Sequence, residues 1–263
     1  MLATTLQRNL ERVRGAIAAA ARSVGRDPAD VQLVAVTKTV SPAVAAELVR
    51  AGQRDLGENR TDVLESKVRW FADRGLATPD RGPRWHFVGH IQRNKARSVV
   101  EHADVIHSVD SLRLLETLDR IAEDVGRSLD VYLQVKLYPE DTKSGLDPGE
   151  LDAALATVRR SRRLTHVGWM TMAPLIEDDE PRRRAAAQDV FTRLAGIARE
   201  HALPTSTSPG PGARGDRTSM GMSDDFEIAI RCGSTCVRVG SALFEDVPTH
   251  DDGRASEPRG GDA

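Results

Sequence analysis

The chain has 263 residues, of which 40% are hydrophobic, and its 37 Lys and Arg against 39 Asp and Glu give a formal net charge of -2. This balance disfavours a nucleic-acid-binding surface, and no apolar stretch is long enough to span a membrane. Two cysteines, Cys232 and Cys236, do not suggest an extracellular disulfide scaffold, and no His or Cys cluster supplies further metal ligands. We therefore expect a cytoplasmic protein with no metal, nucleic-acid or membrane partner.

The chain opens with an amphipathic helix and continues into a short apolar strand. Leu6, Leu10, Val13 and Ile17 share one helical face, which is not the pattern of a signal peptide. The run from Leu33 to Thr37 is rich in β-branched residues and is followed by Lys38. Such runs are typical of strands buried on both faces of a parallel sheet.

Lys38 is the first candidate functional residue. It follows a predicted strand, and ligands of α/β proteins bind beyond the carboxyl ends of the strands. An amine that loses hydration at an apolar strand end becomes a nucleophile toward carbonyl groups. A solvated lysine with no special role is the alternative.

Strand-like and helix-like segments alternate along the rest of the chain. Helical patterns include Ala43 to Ala51 and Leu112 to Val125, each followed by a glycine. The predicted strands are Leu33 to Thr37, Asp55 to Gly57, Trp85 to Gly89, Val105 to Val109, Val131 to Leu137, Val167 to Met172, Thr218 to Met222 and Val237 to Phe244. This alternation predicts an α/β fold, a single (β/α)8 TIM barrel over residues 1–245 with an extra N-terminal helix.

Two segments do not fit a regular element. Pro204 to Gly212 is rich in Pro, Ser and Gly and predicts a loop before the seventh strand. Residues 246–263 are rich in Asp, Pro and Gly, and we expect a disordered polar tail.

The last two predicted strands end in small residues that suit an anion. Ser219-Met220-Gly221 leads into a helix, and Gly240-Ser241 lies in the eighth unit. Barrels frequently bind phosphate with the loops after strands seven and eight, although ordinary turns have the same composition. In a closed barrel these loops lie beside the first strand, so Lys38 and a phosphate site together suit a phosphorylated aldehyde. Pyridoxal 5′-phosphate and sugar phosphates are both of this kind, and Arg238, inward on the last strand, is placed to face a pyridine nitrogen.

Six ordered blocks of sequence resemble the pyridoxal phosphate homeostasis protein family, whose fold is similar to the alanine racemase barrel. The resemblance covers about residues 5–245. The blocks are Leu33 to Lys38, Gly57 to Asn59, Trp85 to Lys95, Lys143 to Gly145, Ser219 to Asp225 and Gly233 to Phe244. Two departures are His90, where the family more often has Pro, and Ser241, which replaces a more common Thr but keeps the hydroxyl.

The resemblance implies a site for pyridoxal 5′-phosphate. It implies that Lys38 forms a Schiff base with the cofactor, that Asn59 lies near it, and that Arg238 faces the pyridine nitrogen. The residues implied around the phosphate are Ser219, Met220, Gly221, Gly240 and Ser241.

The function implied is that of an intracellular carrier and buffer of the cofactor, with no catalytic residues. Related racemases use a second base, a tyrosine from an added domain, whereas Tyr132 and Tyr138 belong to no such domain. We expect a monomer that passes the cofactor to pyridoxal-phosphate-dependent apo-enzymes. A racemase of low activity and a Schiff-base aldolase acting on a sugar phosphate, with His86 as its acid–base group, remain alternatives.

Overall fold

The computed structural model describes residues 2–78, 80, 82–138, 144–177, 179–202 and 215–248. Eight parallel strands, paired in chain order, close into one barrel. The barrel closes where β8 pairs with β1, with Leu33 opposite Val237 and Ala35 opposite Val239. The predicted (β/α)8 fold is therefore confirmed.

All eight predicted strands are present, although the last ends earlier than expected. The strands are β1 Gln32–Val36, β2 Asp55–Glu58, β3 Arg84–Phe87, β4 Val105–Val109, β5 Leu129–Gln134, β6 Leu164–Met170, β7 Arg217–Ser219 and β8 Cys236–Val239. After Val239 a short 3-10 turn, Ser241–Leu243, replaces the predicted extension to Phe244. The predicted loop from Pro204 to Gly212 lies outside the described residues.

Eight α-helices are described, and seven of them follow a strand. They are α1 Leu2–Arg22, α2 Pro42–Arg50, α3 Thr61–Asp73, α4 Ala96–His102, α5 Leu112–Val125, α6 Leu151–Arg160, α7 Glu180–Glu200 and α8 Phe226–Arg231. The start of α2 is fixed by Ser41, whose hydroxyl accepts a hydrogen bond from the amide of Val44, and by Pro42 in the first turn. None of the described helices has the length and apolar character needed to cross a bilayer.

The N-terminal helix α1 holds the end of the described chain. Asn9 donates hydrogen bonds to the carbonyl oxygens of Leu243 and Glu245, over 3.2 and 2.7 Å. Val247 is buried in the main hydrophobic core. The chain is therefore packed through Val247, and the disordered tail expected over residues 246–263 stays a prediction. Residues 249–263 lie outside the described part of the chain.

The barrel separates an apolar outer layer from a mixed interior. Side chains of a strand alternate between the two faces. Outward residues such as Leu33, Ala35 and Leu56 join the main core beneath the helices. The interior holds a small apolar cluster of Val105, Tyr132, Val167 and Met170. Polar inward side chains surround this cluster and lead to the candidate site.

Candidate ligand-binding site at the carboxyl end of the barrel

Lys38 lies at the mouth of the barrel, two residues after β1 ends at Val36. The strand ends early, so Lys38 stands in a turn and its side chain is exposed to solvent. The predicted desolvation of this amine by an apolar strand end was wrong, because the Lys38 side chain is exposed. Its position beyond the carboxyl end of β1 is as predicted.

A buried ion pair lies directly beneath the turn that carries Lys38. Lys67 of α3 donates to Glu58 Oε1 and to the carbonyl oxygen of Thr37, both over 2.6 Å. The hydroxyl of Thr37 donates to the same Glu58 oxygen over 2.5 Å. Burial is the larger influence on Lys67 and lowers its pKa, while the Glu58 carboxylate acts in the opposite direction. Sequence reasoning missed this pair, since α3 brings Lys67 to the strands only in the folded chain.

Asn59 occupies the next position around the rim. It follows β2, which pairs with β1 through Val36 and Gly57. Its side chain is exposed, as that of Lys38 is. The two residues therefore stand on neighbouring strand ends at the same opening.

Gly240 and Ser241 follow β8, the strand that pairs with β1 on its other side. A Cβ added to Gly240 would lie 3.3 Å from the carbonyl oxygen of Val36, so the loop after β8 runs close to the end of β1. Ser241 is exposed at the rim. The amide of Gly240 donates to the hydroxyl of Ser223 over 3.2 Å, which ties the loops after β7 and β8 together. Ser223 was not predicted, although it lies in the Ser219 to Asp225 block.

Gly221 permits the tight turn after β7. Its φ of +97° is strained for other residues, and an added Cβ would lie 2.6 Å from the Cβ of Ala229. Its carbonyl oxygen accepts from the amide of Arg238 over 2.9 Å. The turn therefore passes directly over α8 and is joined to β8.

Two residues expected around the phosphate lie below the rim. The hydroxyl of Ser219 is inside the barrel, 2.7 Å from His107 Nδ1 and 2.5 Å from Arg238 Nη1. Met220 is fully buried in the core, and its amide donates to the carbonyl of Cys236. Both groups therefore have partners within the barrel, and the strand alternation places the Ser219 hydroxyl inward. Their place around the phosphate stays a prediction.

Arg238 points into the barrel, as predicted. Its guanidinium bonds to Ser219 and, over 3.3 Å, to the carbonyl oxygen of Thr171. Burial lowers its pKa from the usual value, while nearby Cys236, Asp225 and Tyr132 raise it less. The guanidinium group of arginine stays protonated in proteins, so the interior holds a fixed cation just below the rim.

The acid–base groups required by the alternative functions are placed elsewhere. His86 is 1% exposed and bonds to Asp55 and His107 within the barrel. It is therefore a buried interior histidine and not a rim residue beside Lys38. Tyr132 is also 1% exposed, and its ring stacks on His107 with centroids 4.5 Å apart. His90 is exposed at the rim, where Nδ1 lies 3.1 Å from Asp110 Oδ2.

The cysteines do not form a pair. Cys232 is partly exposed near Thr192 of α7, and Cys236 is fully buried in β8. Across the described residues, no group of three or more His, Cys, Asp or Glu is arranged to hold a metal ion.

The residues at the rim fit a phosphorylated aldehyde. An exposed primary amine stands between an asparagine and a glycine–serine pair, while the Arg238 cation lies below. Ser241, next to Gly240, is exposed at the surface, and its hydroxyl is a donor for an anion.

Comparison with known proteins agrees with this architecture. The family model described as "Alanine racemase, N-terminal domain" matches residues 6–248. The chain is 37% identical to the pyridoxal phosphate homeostasis protein of Escherichia coli (strain K12) over 236 residues, covering 90% of this chain and 94% of that protein.

A solved structure extends the comparison. PipY of Synechococcus elongatus with pyridoxal phosphate bound superposes with a TM-score of 0.72 at 37% identity, covering 91% of this chain and 100% of that one. The same protein without the cofactor gives a TM-score of 0.74 at 38% identity and the same coverage. The chain therefore belongs to the alanine racemase N-terminal domain family and, within it, to the pyridoxal phosphate homeostasis proteins.

Proposed function

We propose that this protein binds pyridoxal 5′-phosphate reversibly and serves as a cytoplasmic carrier and buffer of that cofactor. The observation that carries the proposal is the closure of the barrel between β8 and β1. It brings the exposed amine of Lys38 beside Gly240 and Ser241, which follow the paired strand. The cofactor bound to PipY and the homeostasis name of the E. coli relative support the same conclusion.

Each rim residue has a proposed role. Pyridoxal phosphate supplies an aldehyde that reacts with a primary amine and a phosphate dianion that attracts hydrogen-bond donors. Lys38 is the amine that we assign to the aldehyde. Gly240, Ser241 and the Gly221 turn would hold the phosphate, and Asn59 would lie near the cofactor. Arg238 faces the pyridine nitrogen and, as a donor-only cation, disfavours its protonation.

The burial of Tyr132, one of the two candidate tyrosines, favours a carrier over a racemase. Racemisation needs acid–base groups on both faces of the reacting carbon. The ring of Tyr132 is buried against His107 and is not at the rim. The aldolase alternative loses its support in the same way, because His86 bonds to Asp55 and His107 inside the barrel.

The first experiment measures cofactor attachment. Purified protein is mixed with pyridoxal phosphate, and its visible absorption is recorded before and after borohydride reduction, followed by peptide mapping. We expect a visible band and a reduced adduct on Lys38, both lost in Lys38→Ala. Lys95→Ala is the matched control, because Lys95 is also exposed and lies on the short 3-10 turn Arg93–Lys95. An adduct on another lysine, or none, contradicts the proposal.

The second experiment separates the carrier from an enzyme. The loaded protein is incubated with a pyridoxal-phosphate-dependent apo-enzyme, and recovered activity reports transfer. A chiral assay for exchange of the α-proton of amino acids runs in parallel. Transfer with little exchange supports a carrier, whereas exchange that disappears in Lys38→Ala supports a racemase. Light scattering of the same sample tests the expected monomer.

A further inference from the structure

A line of hydrogen bonds crosses the interior of the barrel below the candidate site. Arg238 Nη1 bonds to the Ser219 hydroxyl over 2.5 Å, and this hydroxyl lies 2.7 Å from His107 Nδ1. His107 Nε2 lies 2.8 Å from His86 Nδ1, and His86 Nε2 lies 2.9 Å from Asp55 Oδ1. Five side chains from β8, β7, β4, β3 and β2 thus form one chain of contacts. We call it the interior chain.

The two ends of the interior chain differ in what they can do. Arg238 has only donors, and an ionised carboxylate has only acceptors. Burial acts most strongly on Asp55 and raises its pKa, but the hydrogen bonds from His86 and Gln32 and the attraction of Arg84 together reverse the effect, so the pKa is lowered overall. Asp55 is therefore ionised at neutral pH and accepts the hydrogen bond from His86.

Because Arg238 only donates and Asp55 only accepts, the protons of the interior chain can be arranged in one way when both histidines are neutral. Asp55 accepts, so His86 carries its proton on Nε2 and accepts at Nδ1. His107 then carries its proton on Nε2 and accepts at Nδ1, and Ser219 donates to it. Arg238 donates to Ser219. The opposite tautomers would place a lone pair of His86 against the Asp55 carboxylate at 2.9 Å, an arrangement of two acceptors.

The charges around the histidines favour the neutral state. Burial is the main cause that lowers the pKa of His86, which faces Asp55 of β2, Arg84 of its own strand, Asp104 and His107. Burial also lowers the pKa of His107, where the arginines Arg238, Arg217 and Arg84 add like-charge repulsion. Burial raises the pKa of Cys236 beside Ser219, so its thiol stays protonated and does not compete as an anionic acceptor.

The interior chain reaches the opposite end of the barrel. Asp55 begins β2 and lines a cavity of about 490 Å³ together with Gln32, Arg14 and Arg54. Gln32 donates to Asp55 over 2.8 Å and accepts from Arg217 over 2.9 Å. Asp55 Oδ1 thus bonds to both Gln32 and His86, and these bonds hold the Asp55 end of the interior chain in place.

We propose that His86 and His107 are positioning residues: through Ser219 they fix the guanidinium of Arg238 relative to the cofactor ring. The role of Arg238 at the ring rests on the proposed function above. The direction of the hydrogen bonds does not, because it follows from the side chains alone. Each of the two claims therefore has its own measurement.

The first measurement is NMR of the protein with ¹⁵N-labelled histidine, in the absence of cofactor. At pH 7, His86 and His107 are expected as single neutral species protonated on Nε2. In Ser219→Ala, His107 loses its donor at Nδ1 and is expected to show a mixture of tautomers. Ser219→Thr retains a hydroxyl and restores the single species. An Nδ1-protonated tautomer on either histidine of the unmodified protein overturns the interior chain.

The second measurement is the pH titration of the visible band of bound pyridoxal phosphate. His107→Phe keeps the stacking on Tyr132 but removes both hydrogen bonds. We expect its titration midpoint, and that of Ser219→Ala, to move by roughly one pH unit or more, since Arg238 loses its fixed position. The titration midpoint of Ser219→Thr is expected to move by less than half of that amount. His166→Phe is the matched control, because His166 is on β6 outside the interior chain and its buried Nε2 has no partner among the described residues.

The outcomes distinguish the two claims. Midpoints that are unchanged in both Ser219→Ala and His107→Phe, with the cofactor bound, overturn the positioning role. If the unmodified protein gives no visible band, the proposed function fails, and the tautomers still decide whether the interior chain exists. Should His107→Phe not fold, the pair of Ser219 variants gives the same test.

Discussion

Lys67 anchors Thr37, because its ammonium group donates to the Thr37 carbonyl oxygen over 2.6 Å. Thr37 immediately precedes Lys38, so a buried side chain of α3 fixes the backbone from which the exposed amine projects. Glu58 completes the arrangement by accepting from both Lys67 and the Thr37 hydroxyl, while its Oε2 has no partner among the described residues. The buried ion pair of Lys67 and Glu58 thus supports the backbone that carries the exposed Lys38.

This support predicts a large stability effect. Lys67→Met leaves the Glu58 carboxylate buried without its cation, which typically costs about 3–5 kcal/mol of unfolding free energy. Adding Glu58→Gln removes the unpaired charge and should recover much of the loss. Urea unfolding of the three proteins measures both effects. Arg69→Ala breaks the exposed pair with Glu65 and should cost less than about 0.5 kcal/mol. If Lys67→Met alone is as stable as Lys67→Met combined with Glu58→Gln, the prediction is contradicted.

Histidines that the fold keeps neutral predict a loss of stability in mild acid. Burial lowers the pKa of His166 from 6.5 to about 4. The unfolded chain therefore binds a proton below pH 6.5 that the folded protein does not bind, and stability falls from there to about pH 4. His166 alone accounts for roughly 3 kcal/mol over this window, and His86 and His107 act in the same direction. Urea unfolding between pH 7 and 4.5 should show a shallower slope in His166→Phe; equal slopes would refute the assignment.

The turn at Gly221 predicts a selective cost of a single methyl group. Gly221→Ala forces a strained φ and a 2.6 Å contact with Ala229, so we expect at least about 1–3 kcal/mol of destabilisation and weaker binding of pyridoxal phosphate. Gly196→Ala is the control: Gly196 lies in α7 and nothing is within 4 Å of its added Cβ. That variant should gain about 0.5–1 kcal/mol from helix propensity. Thermal unfolding and cofactor titration compare the two variants. Similar effects would show that the turn does not require glycine at position 221.

Ser241 tests the anion site without disturbing the core. Its side chain is exposed, so Ser241→Ala should leave stability nearly unchanged. A hydrogen bond to a charged group is worth about 1.5–3 kcal/mol, and at an exposed rim we expect the lower end, about tenfold weaker binding. Ser241→Thr keeps the hydroxyl and should bind as the unmodified protein does. Titration of the visible band gives the affinities, and equal affinity of the alanine variant would remove Ser241 from the site.

Local patterns in the sequence were sufficient for the fold. The run Leu33 to Thr37 and the helical stripe from Leu112 to Val125 coincide with β1 and α5 because hydrophobic periodicity reflects the faces that each element buries. The end of the first strand follows from the same pattern, so Lys38 was placed at the rim, whereas Gly240 and Ser241 fell within the predicted extension of β8 to Phe244. The ordered blocks further indicated a phosphorylated aldehyde as ligand.

Which side chains meet inside the barrel was decided by the tertiary structure. His86 and His107 are separated by 21 positions, and His107 and Ser219 by 112, yet both pairs are in contact. Such contacts depend on the register of neighbouring strands and on the closure of the sheet, which no local pattern contains. The exposure of Lys38, the inward hydroxyl of Ser219 and the buried pair of Glu58 with Lys67 have the same origin. The sequence by itself determined the elements and their order, whereas only the closed barrel determined which polar groups face one another, because each of those contacts joins strands or helices distant along the chain.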